Sequence, residues 1–156
     1  MNTLVEHRDA QTSTRQVAEL LGVIKRFKHG LSSTLSVHEL LRAGLPRRAL
    51  LKAIERVSIP VAELLPVFGI STRTFMRLKA EPDKLLDAEC SGRVWQFAQM
   101  LVKAEDIFGT NERAARWLLN PAMALENQRP IDLLTTPIGT QLVDDVIERI
   151  RHGVYQ

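Results

Sequence analysis

The sequence predicts an all-α fold, and three observations carry that prediction. Apolar residues recur three and four apart in stretch after stretch, and no segment alternates apolar and polar residues as a strand does. Aromatic residues make up only 5% of the chain, while Leu, Ala, Glu and Arg recur throughout. That composition favours helices, because strands draw on β-branched and aromatic side chains. Ser, Thr or Asn before these stretches, and Gly or Pro after them, mark helix starts and stops. The 156 residues suffice for one domain, or for two small ones sharing a core.

The elements follow in order. Residues 1–12 are polar and aperiodic and read as a flexible tail. From Ser13, the residues Val17, Leu20, Leu21, Ile24 and Phe27 share one helical face, which His29-Gly30 ends. Ser36 is expected to cap a short helix bearing Leu40 and Leu41, stopped at Gly44. Pro46 opens a helix with Leu50, Leu51, Ile54 and Val57 inward. Ser58-Ile59-Pro60 starts the next, carrying Val61, Leu64, Leu65 and Phe68 up to Gly69. Ser71 caps another, with Phe75 and Leu78 expected buried, and Glu81-Pro82 ends it.

A second group follows. Ser91 is expected to open a long helix through Trp95, Ala98, Leu101, Val102 and Ile107 to Gly109. Asn111 is expected to cap residues 112–119, which Asn120-Pro121 terminates. A connecting stretch then leads to a last helix, capped by Thr136 and opened by Pro137. Its buried stripe is expected to be Leu142, Val143, Val146, Ile147 and Ile150, and Gly153 stops it. The divisions expected are a tail over 1–12, an N-terminal helical domain over 13–98 and a smaller C-terminal one over 99–156.

Charge is unevenly spread. Residues 41–80 carry eight basic side chains against two acidic ones, whereas residues 81–156 carry eight against twelve. A positive centre beside a negative C-terminal half suggests two surfaces with different partners. The single Cys90 allows no internal disulfide, and no run approaches 18 apolar residues. A soluble, cytoplasmic protein is therefore expected, without membrane association. His7, His29, His38 and His152 are dispersed without ligand spacing, so no metal site is assigned. With no phosphate-binding loop, paired acidic motif or nucleophile elbow, no catalytic residue or cofactor is assigned, and an enzyme is not expected. Trp95, Trp117 and Cys90 read as core residues.

Residues 60–79, PVAELLPVFGISTRTFMRLK, carry the densest local signal. Two short helices joined by a tight turn must bury each other's inner faces and leave the second helix free for a DNA groove. Leu64 and Phe68 supply one inner face, Gly69 the turn, Ile70 the plug, and Phe75 and Leu78 the other face. Ser71, Thr72, Arg73, Thr74, Arg77 and Lys79 remain as candidate DNA contacts. The helix start suits a phosphate, and Arg73 and Arg77 are one turn apart. Arg47, Arg48 and Lys52 on the preceding helix are expected to hold flanking backbone. Pro66 is a misfit: it removes one hydrogen bond from the first helix and tends to kink it.

The C-terminal half is more specific. The ordered run Ala115-x-Trp117-Leu118, Asn120-Pro121, Leu125, Pro130, Leu133-Leu134, Gly139 and Arg149-Ile150-x-x-Gly153-x-Tyr155 resembles the toxin-binding domain of Xre-like antitoxins, a family that includes the MbcA and ParS antitoxins. Gly44-Leu45-Pro46, Gly69-Ile70-Ser71-x-Arg73-Thr74 and Glu89-x-x-x-Arg93 are also similar to that family. Where the family commonly has glycines after Leu125, this chain has Glu126-Asn127, of which Asn127 can adopt left-handed geometry.

The resemblance implies a helix-turn-helix domain followed by a small helical toxin-binding domain. It also implies a type II antitoxin that binds operator DNA, represses its own operon and sequesters a cognate RES-domain toxin expected to degrade NAD. The antitoxin's C-terminal end is expected to block the toxin's active-site cleft. Gly153, also counted among the toxin-binding residues, would end the helix so that Val154, Tyr155 and Gln156 project as a plug, with Tyr155 offering a flat apolar body and polar tip. Arg149, Arg151 and His152 would meet acidic or phosphate-binding groups at the cleft mouth. A homodimer through the Val17–Phe27 stripe is expected to reach two DNA half-sites, and a hetero-oligomer is expected with the toxin. Two alternatives stand beside this: a free-standing transcriptional regulator with a C-terminal dimerisation domain, and an interaction protein with a vestigial helix-turn-helix.

Overall fold

Why the middle of the chain becomes its axis is visible in one helix that is apolar most of the way round. In a computed structural model describing residues 13–27 and 33–153, that helix is α6, Ala88–Phe108. Val94, Trp95, Phe97, Ala98, Met100, Leu101, Val102 and Ala104 are all buried along it. A helix with so little polar circumference is stable only when neighbours wrap it. Helix α1, which includes residues 13–20, precedes α2 (Thr34–Ala43), α3 (Arg47–Arg56), α4 (Val61–Phe68) and α5 (Thr72–Ala80). After α6 come α7 (Asn111–Leu119), α8 (Pro130–Leu133) and α9 (Pro137–Arg151). Helices α2, α3, α4, α7 and α9 all pack on α6. Among the described residues there is no strand, only isolated bridges Pro46–Leu85 and Ala122–Gln128.

One apolar cluster runs from Val17 to Ile147 and takes residues from both ends of the chain. Phe68 of α4 meets Phe97 of α6 edge to face, with ring centres 5.4 Å apart. Burying each such ring contributes about 2–3 kcal/mol, so α4 is anchored by its last residue. Phe108 and Trp117 stack at 5.3 Å across the α6–α7 corner, where Trp117 is half-buried. Cys90 is buried, and that burial pushes its thiol up to about 11, as suits an unreactive core side chain.

Several helix boundaries differ from expectation, each for a local reason. The first helix stops at residue 20 rather than running to Phe27. Gly22 takes φ 68°, its N–H bonds to the Glu19 carbonyl at 3.0 Å, and Val23 N–H bonds to the Ala18 carbonyl at 2.9 Å. These two bonds satisfy carbonyls that the helix end would otherwise orphan. The chain resumes as a 3-10 turn, Ile24–Arg26; the expected stop at His29-Gly30 lies outside the described residues. Ser33, not Ser36, caps α2, accepting from the Ser36 N–H. Asp87, not Ser91, caps α6. Ser91 is instead fully buried, and its Oγ accepts from the Leu45 N–H at 2.9 Å. Thr110, not Asn111, caps α7. The Asn111 amide spans two elements, accepting from the Ser58 N–H and donating to Glu105.

Other expectations hold. Ser71 and Thr136 cap α5 and α9, Pro137 is the first residue of α9, and Trp95 is buried. Asn127 has φ 60°, and Glu126 joins it in the left-handed region at 54°. The Val17–Phe27 stripe, however, is not a free face: Val17 and Leu21 are buried in the chain's own core, and Leu20, Ile24 and Phe27 pack against it half-buried. Leu142, expected in the buried stripe of α9, is 47% exposed.

Candidate functional site

The two-helix unit is α4 and α5. Helix α4 keeps Pro66 at its sixth position on an exposed face, and the helix continues to Phe68. Its end is sealed by Gly69 at φ 68°, with Ile70 N–H bonding the Leu65 carbonyl at 3.1 Å. A side chain at Gly69 would face the guanidinium of Arg93, whose nearest nitrogen is 3.1 Å from an ideal Cβ. Left-handed backbone and close packing thus both specify glycine at the turn. Arg93 reaches from α6 over this turn, with Glu89 held at 3.1 Å and the Thr135 carbonyl at 3.5 Å.

The α5 helix presents a sharply divided surface. Phe75 and Leu78 turn inward but are half-buried rather than buried. Ser71 and Thr74 satisfy one another: the Ser71 hydroxyl donates to Thr74 Oγ1 at 3.0 Å and accepts from the Thr74 N–H at 3.1 Å. Thr72, Arg73, Arg77 and Lys79 stay exposed, and no carboxylate among the described residues pairs with the three cations. Met76 lies on the same side and is 59% exposed. Sequence reasoning overlooked it, although its place on a 100° wheel between Lys79 and Arg73 was readable.

Arg47 and Arg48 start α3, whose first N–H groups have no side-chain cap. The loop after α5 caps them instead: Arg47 N–H donates to the Lys84 carbonyl at 2.8 Å, and Arg48 N–H to the Pro82 carbonyl at 2.9 Å. That loop also supplies counter-charges, Glu81 to Arg47 at 3.2 Å and Asp83 to Arg48. Lys84, hydrogen-bonded to Glu81 at 2.7 Å, holds its carboxyl below the usual range. A notch of about 480 Å³ opens between Arg47 and Arg77, walled by Leu78, Ala80 and Glu81.

At the other end, α9 lies against α6 through ion pairs. Lys103 bonds Asp144 at 2.5 Å and Glu148 at 3.2 Å, and Arg151 faces Asp106 at 3.6 Å. Burial opposes the Lys103 charge, but hydrogen bonds to Asp144 and Glu148 outweigh it and raise its pKa. His152 sits 3.8 Å from Glu148. Away from α6, Ile138, Leu142, Asp145 and Arg149 form an exposed stripe three to four residues apart, and Ile138 is 75% exposed. Arg149 has no carboxylate partner among the described residues. Gly153 ends the described chain at φ 68°; Val154, Tyr155 and Gln156 lie outside the described residues.

A further link joins the regions and was not visible in the sequence. Arg129 binds Glu63 of α4 through two nitrogens at 3.2 and 2.9 Å and holds Asp132 of α8 at 2.7 Å. The hydrogen bond from Arg129 depresses the Asp132 carboxyl, and Asp132 then Glu63 raise the guanidinium in return.

Comparison with known proteins settles the family. Residues 36–99 match the family described as antitoxin Xre-like helix-turn-helix domain. Residues 103–153 match the antitoxin Xre/MbcA/ParS C-terminal toxin-binding domain. The chain belongs to the Xre-like antitoxins. Antitoxin Xre of Yersinia enterocolitica is 34% identical over 99 residues, 63% of this chain and 66% of that protein, just under two thirds of its length. Antitoxin Xre of Pseudomonas putida is 28% identical over 123 residues, 79% of this chain and 76% of that protein. Antitoxin Xre of Photorhabdus laumondii is 29% identical over 124 residues, 79% and 83% respectively. In this Xre-like antitoxin the matched domains meet inside α6, the helix on which both halves pack. No helix among the described residues is long and apolar enough to cross a membrane.

Proposed function

We propose that this Xre-like antitoxin neutralises a RES-domain toxin that degrades NAD, and that it represses its own operon by binding operator DNA through α5. This is a type II arrangement in which protein binds protein. The observation that carries the toxin half is the match to a toxin-binding domain over residues whose last helix leaves Ile138, Leu142 and Arg149 open. Two apolar side chains and an unpaired cation on one stripe are what a protein partner can bury and neutralise. In the sequence α9 is followed by Val154, Tyr155 and Gln156, which would enter the toxin's cleft, with Arg149, Arg151 and His152 at its mouth. The cations of α5 support the DNA half, and two copies of the chain would span two half-sites. Because Val17 and Leu21 lie in the core, such a dimer would have to use another surface.

The test is co-expression with the neighbouring toxin gene. Intact antitoxin should restore growth and cellular NAD, and a chain lacking Val154–Gln156 should not. A truncated chain that protects as well as the intact one would remove the plug.

A further inference from the structure

Helix α5 is long enough, at nine residues, to lay more than two full turns along a groove. At 100° per residue its inward direction is set by Phe75 and Leu78, with Thr74 beside them held to Ser71. The opposite direction is occupied by Thr72, Arg73, Met76, Arg77 and Ala80. Met76 is the single large apolar side chain there, and it is 59% exposed. At 100° per residue Arg73 and then Arg77 lie to one side of it and Lys79 to the other, so cations flank it on both sides.

A single exposed apolar side chain is ordinary on a protein surface, but Met76 sits on the face that the DNA-binding reading turns to the groove, where binding would bury it. The flanking guanidiniums select a polyanion as the partner, since no carboxylate among the described residues neutralises them. Within the major groove of DNA, the apolar feature at base-edge level is the thymine 5-methyl group. A thioether is flexible and polarisable, so it can pack on that methyl while the neighbouring Arg73 and Arg77 bond guanine edges or phosphates.

We infer that Met76 is a specificity-determining residue of the recognition helix, packing against a thymine methyl in the operator. This rests on the DNA-binding reading above and adds to it the identity of one base that is read.

The probe is the DNA upstream of the chain's own reading frame, amplified either with thymidine or with deoxyuridine, which lacks the methyl. Intact protein should bind the deoxyuridine probe roughly fourfold more weakly per contacted methyl, the weight of one buried methyl group. Met76→Ala should bind the thymidine probe more weakly by a similar factor and show no further loss on deoxyuridine. Met76→Leu should keep most of the discrimination. If Met76→Ala suffers the same deoxyuridine penalty as the intact chain, the methyl is read elsewhere and the inference falls. If the intact chain discriminates between probes not at all, it falls too. Intact protein that binds neither probe would overturn the DNA-binding reading together with this one, and that outcome is recognisable before any variant is made.

Discussion

Helices α5 and α9 are both amphipathic and both carry cations in their last turn, yet those charges are available to very different degrees. On α5, Arg73, Arg77 and Lys79 stand without carboxylate partners among the described residues. On α9, Arg149 alone among the described residues is open: Arg151 and His152 face Asp106 and Glu148, and Asp144 and Glu148 hold Lys103 of α6. The contrast teaches that charge summed along a sequence is not charge offered at a surface. Residues 41–80 hold a large basic excess, but Arg47, Arg48 and Arg56 are paired with Glu81, Asp83 and Glu105. A cation already paired must exchange partners before it can displace counterions from DNA, whereas an unpaired one does so directly. Availability therefore concentrates on α5.

The strongest way to break this comparison is to remove the open cations. Arg73→Ala with Arg77→Ala should lower affinity for the upstream DNA by on the order of a hundredfold, at about 1–3 kcal/mol for each guanidinium that reaches a base. Anisotropy titrations over a range of salt should show a shallower salt dependence than the parent. Melting by circular dichroism should hardly change, because both side chains are exposed. Toxin neutralisation should persist. Loss of both functions would instead mean that the two ends are not separable.

The second prediction sharpens the α9 side. A Cβ at Gly139 would lie 1.9 Å from the Leu133 carbonyl oxygen, a backbone atom that cannot swing aside. Gly139→Ala should therefore destabilise the fold by about 2–3 kcal/mol, in the range of overpacked sites. Gly92 lies in α6 with open space where its Cβ would be, so Gly92→Ala should stabilise by about 0.5–1 kcal/mol. Chemical denaturation of the two variants should move the midpoint in opposite directions. Equal midpoints would mean that the α8–α9 corner yields more easily than its geometry implies.

These sites also show what the sequence could and could not convey. Apolar periodicity located the middle and last helices, and Gly69, Ser71, Thr136 and Pro137 marked their ends, because each of those signals acts within four residues. Caps failed where two candidates stood close together. Ser33 and Ser36, Asp87 and Ser91, and Thr110 and Asn111 differ only in which one lies extended at the helix mouth. Ser91 was drawn away by the Leu45 N–H, 46 positions distant, and local chemistry does not record that. The same holds for Arg129 and Glu63, whose pairing joins α4 to α8 across 66 positions. Leu142 was assigned inward because it neighbours Val143 and fits a broad stripe, but the face α9 turns to α6 is narrower than that. For the candidate site, residue types were legible, while the division into paired and open cations was not.

A smaller effect is expected at Lys103, which ties α6 to two carboxylates of α9. Lys103→Met should cost about 1 kcal/mol or less, since the pairs are partly solvated. Its pH dependence has a definite sign. The folded-state pKa is raised above the ordinary 10.5, so the contribution is complete below pH 10.5 and fades as pH climbs through the higher folded value. The stability difference between parent and Lys103→Met should therefore be constant from pH 7 to 9 and shrink in strong alkali. A difference that already disappears at pH 8 would mean that another group carries it.

The smallest effect tests whether a paired cation can be made into an open one. Glu81 holds Arg47 and Lys84 and forms a wall of the notch beside Arg77. Glu81→Gln keeps the shape, removes one negative charge from that notch and frees two cations. Affinity for the upstream DNA should rise about threefold in dilute salt and return towards parity as salt is added, because the gain is electrostatic. Acidifying the parent from pH 7 to 6 should not imitate the variant, since the hydrogen bond from Lys84 keeps the Glu81 carboxyl ionised well below that range. If affinity falls instead, Glu81 is holding Arg47 in the posture that DNA requires, and the pairing is part of the interface. If affinity is unchanged at every salt concentration, the notch does not face DNA, and the contact surface narrows to the outward side of α5.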